Sequence, residues 1–139
     1  MKMKKCVSIC LSGGSIPAGK HITLQYKPNE DSFVNLLERL GEPVSYSQGP
    51  ILEGLGVVAV VCSLDKKELY TGESMPHVTM ECLDGVSPNK SNSLIASYLE
   101  ENGSFKKKDF NAGFISYLSA MYYSKEGKKY STTMEDWEV

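Results

Sequence analysis

The sequence predicts an α+β fold with pseudo-twofold character, two related lobes within a single 139-residue domain. Three observations predict it. The segment HITLQYKPNEDSFVNLLERLGEP from His21 resembles the segment HVTMECLDGVSPNKSNSLIASYLEENGS from His77. Each copy opens on alternating polar and apolar residues, the period of a half-buried strand. Each then passes a Pro-Asn pair, Pro28-Asn29 or Pro88-Asn89, and runs through an amphipathic stretch to a glycine, Gly41 or Gly103. The repeat units lie near residues 21–41 and 77–103.

The elements follow in order. Residues 5–11 read as a leading strand. In His21-Ile22-Thr23-Leu24, His21 and Thr23 share one face while Ile22 and Leu24 point into the core. Asp31 or Ser32 can cap a first helix that buries Phe33, Leu36, Leu37 and Leu40. Residues 43–48 and 57–64 read as strands, the second so apolar that it should be central. His77-Val78-Thr79-Met80 repeats the first histidine strand. Ser91 or Asn92 can cap a second helix that buries Leu94, Ile95, Tyr98 and Leu99. Gly41 and Gly103 stop the two helices. Residues 110–123 read as strand at their start and are ambiguous from Leu118 onwards. Ser124-Lys125-Glu126-Gly127 reads as a hairpin turn. Residues 132–139 read as a flexible acidic tail with Trp137 as its anchor.

Composition narrows the function. Net charge is −2, which argues against a long duplex nucleic-acid footprint and leaves a short anionic ligand open. Met1-Lys2-Met3-Lys4-Lys5 has the charge of a signal n-region, but the apolar run behind it ends at Leu11. Nothing reaches membrane-spanning length. The expectation is a cytoplasmic monomer with no membrane partner, in the host cytoplasm if virus-encoded. Cys6, Cys10, Cys62 and Cys82 form no C-x-x-C pair and read as reduced, half-buried thiols. A zinc site from both histidines and two cysteines would lack a short chelating pair, so neither metal nor cofactor is expected.

His21 and His77 are the two histidines of the chain, and both sit in the same four-residue pattern. A lone histidine on a strand is more often structural. Two placed by an internal repeat point to a site. Cleaving a phosphodiester needs a base for the attacking oxygen and an acid for the leaving one, and imidazole does both near neutral pH. Thr23 and Thr79 share the histidine faces, and their hydroxyls can donate to non-bridging phosphate oxygens. High β-propensity is the simpler reason for a threonine there. Lys20, Tyr26, Lys90 and Asn92 are the candidate substrate-binding residues. Tyr46, Tyr70, Tyr122 and Tyr123 are further candidates for stacking a base. Ser12-Gly13-Gly14-Ser15 is either a lid or a connection.

The paired motifs His21-Ile22-Thr23-Leu24 and His77-Val78-Thr79-Met80 resemble the signature of the two-histidine phosphoesterase superfamily. That group includes LigT-like RNA ligase/cyclic phosphodiesterases and small viral enzymes that degrade cyclic nucleotide signals. The resemblance covers about half the chain. It implies a bilobed fold whose antiparallel sheets form a central groove, with helices packed outside. It implies metal-independent hydrolysis of a small cyclic or oligo-nucleotide, or of a 2′,3′-cyclic phosphate at an RNA end. It makes His21 and His77 the acid/base pair and Thr23 and Thr79 the phosphate clamps. The histidine spacing, 77 − 21 = 56 residues, is shorter than in the larger LigT-like members. Two other classes remain: a nucleotide sponge that binds in the same groove without turnover, and an interaction protein whose histidines lie apart.

Overall fold

A computed structural model describes the backbone of residues 3–26, 30–124, 130–131 and 137–138, and the side chains of residues 8–26 and 34–121. The strands are β1 (Met3–Ser12), β2 (Ile22–Tyr26), β3 (Pro43–Gly54), β4 (Val57–Leu64), β5 (His77–Cys82), β6 (Asn111–Ser124), β7 (Tyr130–Ser131) and β8 (Trp137–Glu138). The helices are α1 (Glu30–Leu37) and α2 (Lys90–Asn102).

The expectation of two lobes flanking a groove, with helices outside it, is overturned. β1, β2, β5, β4, β3 and β6 pair in that order, each antiparallel to the next, and β6 returns to pair with β1. The result is one closed six-stranded barrel, mostly sheet, with two α-helices among the described residues. The closure runs through β1 and β6, in register from Lys5↔Ser124 to Ser12↔Tyr117. Alternation within a strand reveals its faces but not its neighbours, so the repeat alone could not show that the halves share one wall.

The strand order has its own symmetry. Exchanging β1 with β4, β2 with β5 and β3 with β6 leaves it unchanged. β2 and β5, the two histidine strands, are therefore neighbours. A single pair joins them, Ile22↔Val78.

The barrel interior holds Ile9, Leu11, Ile22, Leu24, Val44, Tyr46, Cys62, Leu64, Val78, Leu118 and Ala120, and Leu36 of α1 joins them. β4 is nearly all apolar because both its faces are covered. Cys62 and Leu64 enter the barrel, while Val61 turns outwards to meet Ile95 of α2 and Leu52 of β3. Burying aliphatic side chains of this size contributes roughly 1.5–3 kcal/mol each.

The helices begin and end differently from the sequence reading. α1 stops at Leu37, and tight backbone bonds from Arg39 to Leu36 and Glu42 to Arg39 carry the chain away. The Gly41 N–H then bonds the Leu118 carbonyl of β6, and Leu40 is exposed. α2 starts at Lys90 with Asn89 as its cap residue, whose side chain makes no capping bond. Ser91 and Asn92 are therefore free for other work. α2 ends as expected, with the Gly103 N–H on the Leu99 carbonyl. Residues 111–124 are strand throughout, and β6 pairs antiparallel with β7 as a hairpin would. Pro28-Asn29, the side chains of Asp31, Ser32, Phe33, Cys6, Tyr122 and Tyr123, the turn after Ser124 and residues 132–136 lie outside what is described. Trp137 and Glu138 pair in parallel with Met3 and Lys4 of β1.

Candidate active site

The Ile22↔Val78 pair buries both its side chains in the barrel, so the residues on either side of it face outwards. Antiparallel register then sets Thr79 opposite His21 and His77 opposite Thr23. β4 extends these rows, with Ala59 paired to Thr79 and Val61 to His77. β1 extends the second row from the other side, where Cys10 pairs with Thr23. All four motif residues are half-buried on one outer face of the wall. His21 and His77 are diagonal neighbours, a relationship that spans about 7–8 Å between Cα atoms. They are close enough for a charge on His77 to disfavour a charge on His21.

Each copy holds its histidine differently. The His77 Nδ1 lies 2.7 Å from the Met75 carbonyl oxygen. A carbonyl can only accept, so Nδ1 carries the proton and Nε2 presents its lone pair. Burial pushes the His77 pKa below the usual imidazole value, and the Met75 carbonyl opposes that shift. Among the described residues no side-chain hydrogen bond holds His21. Its pKa is also pushed down, by burial first, then by His77, then by Lys20. Both shifts favour the neutral imidazoles in the unliganded protein, and a bound phosphate would draw protons onto them.

The threonines differ as well. The Thr79 hydroxyl lies 2.8 Å from that of Ser91, which is fully buried in the first turn of α2. Thr23 neighbours Cys10, whose buried thiol is pushed up to about 11 and is therefore not a nucleophile at neutral pH.

The other predicted site residues divide. Lys20 reaches across the seam and donates to the Met80 carbonyl at 2.8 Å, which sets its charge beside His21. Asn92 is a scaffold residue: its Nδ2 donates to Asn89 at 2.9 Å and its Oδ1 accepts from Ser74 at 2.9 Å. Since Met75 follows Ser74, this bond braces the segment that holds His77. Lys90 is exposed at the start of α2, one residue before Ser91. Tyr26 is exposed at the far end of β2, opposite Ser8, about 10 Å along the strand from Thr23. The structure does not bring it to the histidines. Tyr46 is sealed in the core.

The glycine-rich segment after β1 is a docked connection. Ser15 N–H bonds the Ile115 carbonyl at 2.9 Å, and Ser116 Oγ donates to the Gly13 carbonyl at 2.9 Å. Gly14 has φ +58°, and a Cβ there would run into the Ile115 carbonyl. This segment is held against β6.

Comparison with known protein families, curated proteins and solved structures gives no match. The site is therefore read from its own geometry. Sequence reasoning missed Met75, Ser74 and Ser91, which orient His77 and Thr79. A serine beside a helix start reads as a cap, and a backbone carbonyl leaves no mark in a sequence. Among the described residues, no group of three or more His, Cys, Asp or Glu side chains is gathered as metal ligands would be. No helix there is long and apolar enough to cross a membrane.

Proposed function

We propose that the chain is a phosphodiesterase of the two-histidine type, acting without a metal on a small cyclic or oligo-nucleotide or on a 2′,3′-cyclic phosphate at an RNA end. One observation carries this reading: His21, Thr23, His77 and Thr79 are gathered on one half-buried face around the single Ile22↔Val78 pair. Two imidazoles and two hydroxyls side by side match the needs of a phosphorus centre that gains one oxygen and loses another.

The differences between the copies support a division of labour. The Met75 carbonyl favours protonated His77, whereas His21 lies beside the Lys20 ammonium. A single proton shared by the pair therefore rests on His77. Neutral His21 takes a proton from water, the water oxygen bonds to phosphorus, and one phosphorus–ester oxygen bond breaks. The leaving oxygen takes the proton of His77. Thr23 and Thr79 donate to the non-bridging oxygens as their charge grows. Proton exchange with solvent restores the pair. The free thiols of Cys10, Cys62 and Cys82 support a reducing, cytoplasmic setting.

The test is turnover in EDTA of cyclic mononucleotides, cyclic dinucleotides, 2′-5′ and 3′-5′ oligonucleotides and RNA with a cyclic phosphate end, read by mass spectrometry. Conversion that is lost in both His21→Ala and His77→Ala supports the proposal. Ligand that binds and returns unchanged would make the protein a nucleotide sponge instead.

A further inference from the structure

Beyond His77 the barrel wall opens. In the antiparallel register, Val61↔His77 continues towards Ser63 and Met75, and the Cys62 N–H bonds the Pro76 carbonyl at 2.8 Å. Here a half-open cavity of about 210 Å³ is lined by Cys62, Ser63, Leu64, Lys67, Tyr70, Met75 and Pro76. Its near edge is one pleat, about 7 Å, past the His77–Thr23 row and on the side away from His21.

We propose that this cavity is the nucleobase subsite of the enzyme; the inference rests on the phosphodiesterase reading above. Three features argue for a base. The first is continuity: Met75 and Pro76 wall the cavity and lead into His77, and the Met75 carbonyl holds the His77 Nδ1. An occupant of the cavity therefore lies against the two residues that immediately precede His77. The second is size. Whole drug-sized ligands occupy pockets of about 300–1,000 Å³. A cavity of about 210 Å³ admits one planar ring system and leaves the sugar and phosphate outside, on the histidine face.

The third is chemistry. A tyrosine ring, a thioether and a proline ring make an apolar slot suited to a flat π-face. Lys67 and the Ser63 hydroxyl supply polar contacts for its edge. The slot is also preorganised. The Ser74 N–H donates to the Tyr70 hydroxyl at 3.3 Å, and Gly72 lies so close that a Cβ there would overlap that hydroxyl. The ring is thus fixed before any ligand arrives, which lowers the cost of binding.

The test compares adenosine 2′-monophosphate and guanosine 2′-monophosphate with ribose 5-phosphate, which lacks a base. Binding is followed by calorimetry, by the imidazole NMR signals and by the Met75 methyl signal. The subsite predicts that both nucleotides bind about tenfold or more tighter than ribose 5-phosphate, a gain typical of base stacking. They should shift the Met75 methyl, whereas ribose 5-phosphate should shift the imidazoles alone. Ser63→Trp, which fills the slot, should reduce nucleotide affinity to that of ribose 5-phosphate and leave the latter unchanged. If Ser63→Trp does not fold, the Met75 signal in the natural protein decides. Equal affinity for all three ligands with a silent Met75 overturns the subsite and leaves the phosphate site standing. Failure of every ligand to move the imidazoles overturns both.

Discussion

The Nδ1–H of His77 points at the carbonyl oxygen of Met75, two residues back along the chain and 2.7 Å away. The contact fixes the tautomer and aims Nε2 away from the backbone. Nitrogen NMR of neutral His77 should show the Nδ1–H form. His77→Ala should cut turnover by about 10²–10⁴-fold, the range for losing a general acid or base. The unfolding midpoint should change little, because the ring lies on the outer face and not in the barrel core.

Titration should reveal both imidazoles below the ordinary value of about 6.5. The pair is coupled, so its two apparent values belong to both residues. In the unliganded protein kcat/KM should follow a bell whose maximum lies below pH 6.5. Stability should carry the matching sign. The unfolded chain takes up protons near pH 6.5 and the folded one only at lower pH, so stability is full above 6.5. It is lost as pH falls through that window and levels off below the folded values. Urea unfolding at pH 7.5 and pH 5 checks this, and a higher midpoint at pH 5 would contradict it.

Ser91 holds the hydroxyl of Thr79, at 2.8 Å. Ser91→Ala removes one hydrogen bond inside a fully buried spot and should cost about 0.5–1.5 kcal/mol. If Thr79 donates to phosphate, kcat/KM should also fall, by roughly 2–13-fold if the same energy is lost from the transition state. Thr79→Val should cost more, about 10²-fold, since it deletes the donor itself. Kinetics on both variants beside their unfolding curves separates activity from stability.

Ile95 is the side chain by which α2 grips the outside of the barrel, with no exposed surface of its own. Ile95→Ala should destabilise the fold by about 2–5 kcal/mol. It should also loosen Ser91 and Asn92, which α2 carries to Thr79 and Ser74. A drop in activity under conditions where the variant is still folded, measured below its unfolding transition, would show that transmission.

The local part of this structure was legible in the sequence. The alternation His21-Ile22-Thr23-Leu24 told which residues turn out and which turn in. The apolar run 57–64 marked β4 as a strand covered on both sides, and Gly103 marked the end of α2. Connectivity between strands was not legible. Nothing in Val7 or Tyr122 announces that they are partners, and partnership of that kind turns two repeats into one barrel. The second failure concerned small polar residues. Ser91 was read as a cap from its place before an amphipathic run, but the cap residue is Asn89 and the serine serves Thr79. The parts of a site that orient other residues are set by tertiary contacts, and a one-dimensional pattern does not contain them.

The strand order has a consequence for the two halves of the chain. β3 belongs to the first half, yet both its neighbours, β4 and β6, come from the second. β6 in turn closes onto β1. Cutting the chain in the Gly54-Leu55-Gly56 turn would give two fragments with bare edges, neither able to seal itself. Mixed together, each supplies the edge the other lacks, so the halves should reassemble as a complementing pair and regain the histidine face that only their union creates.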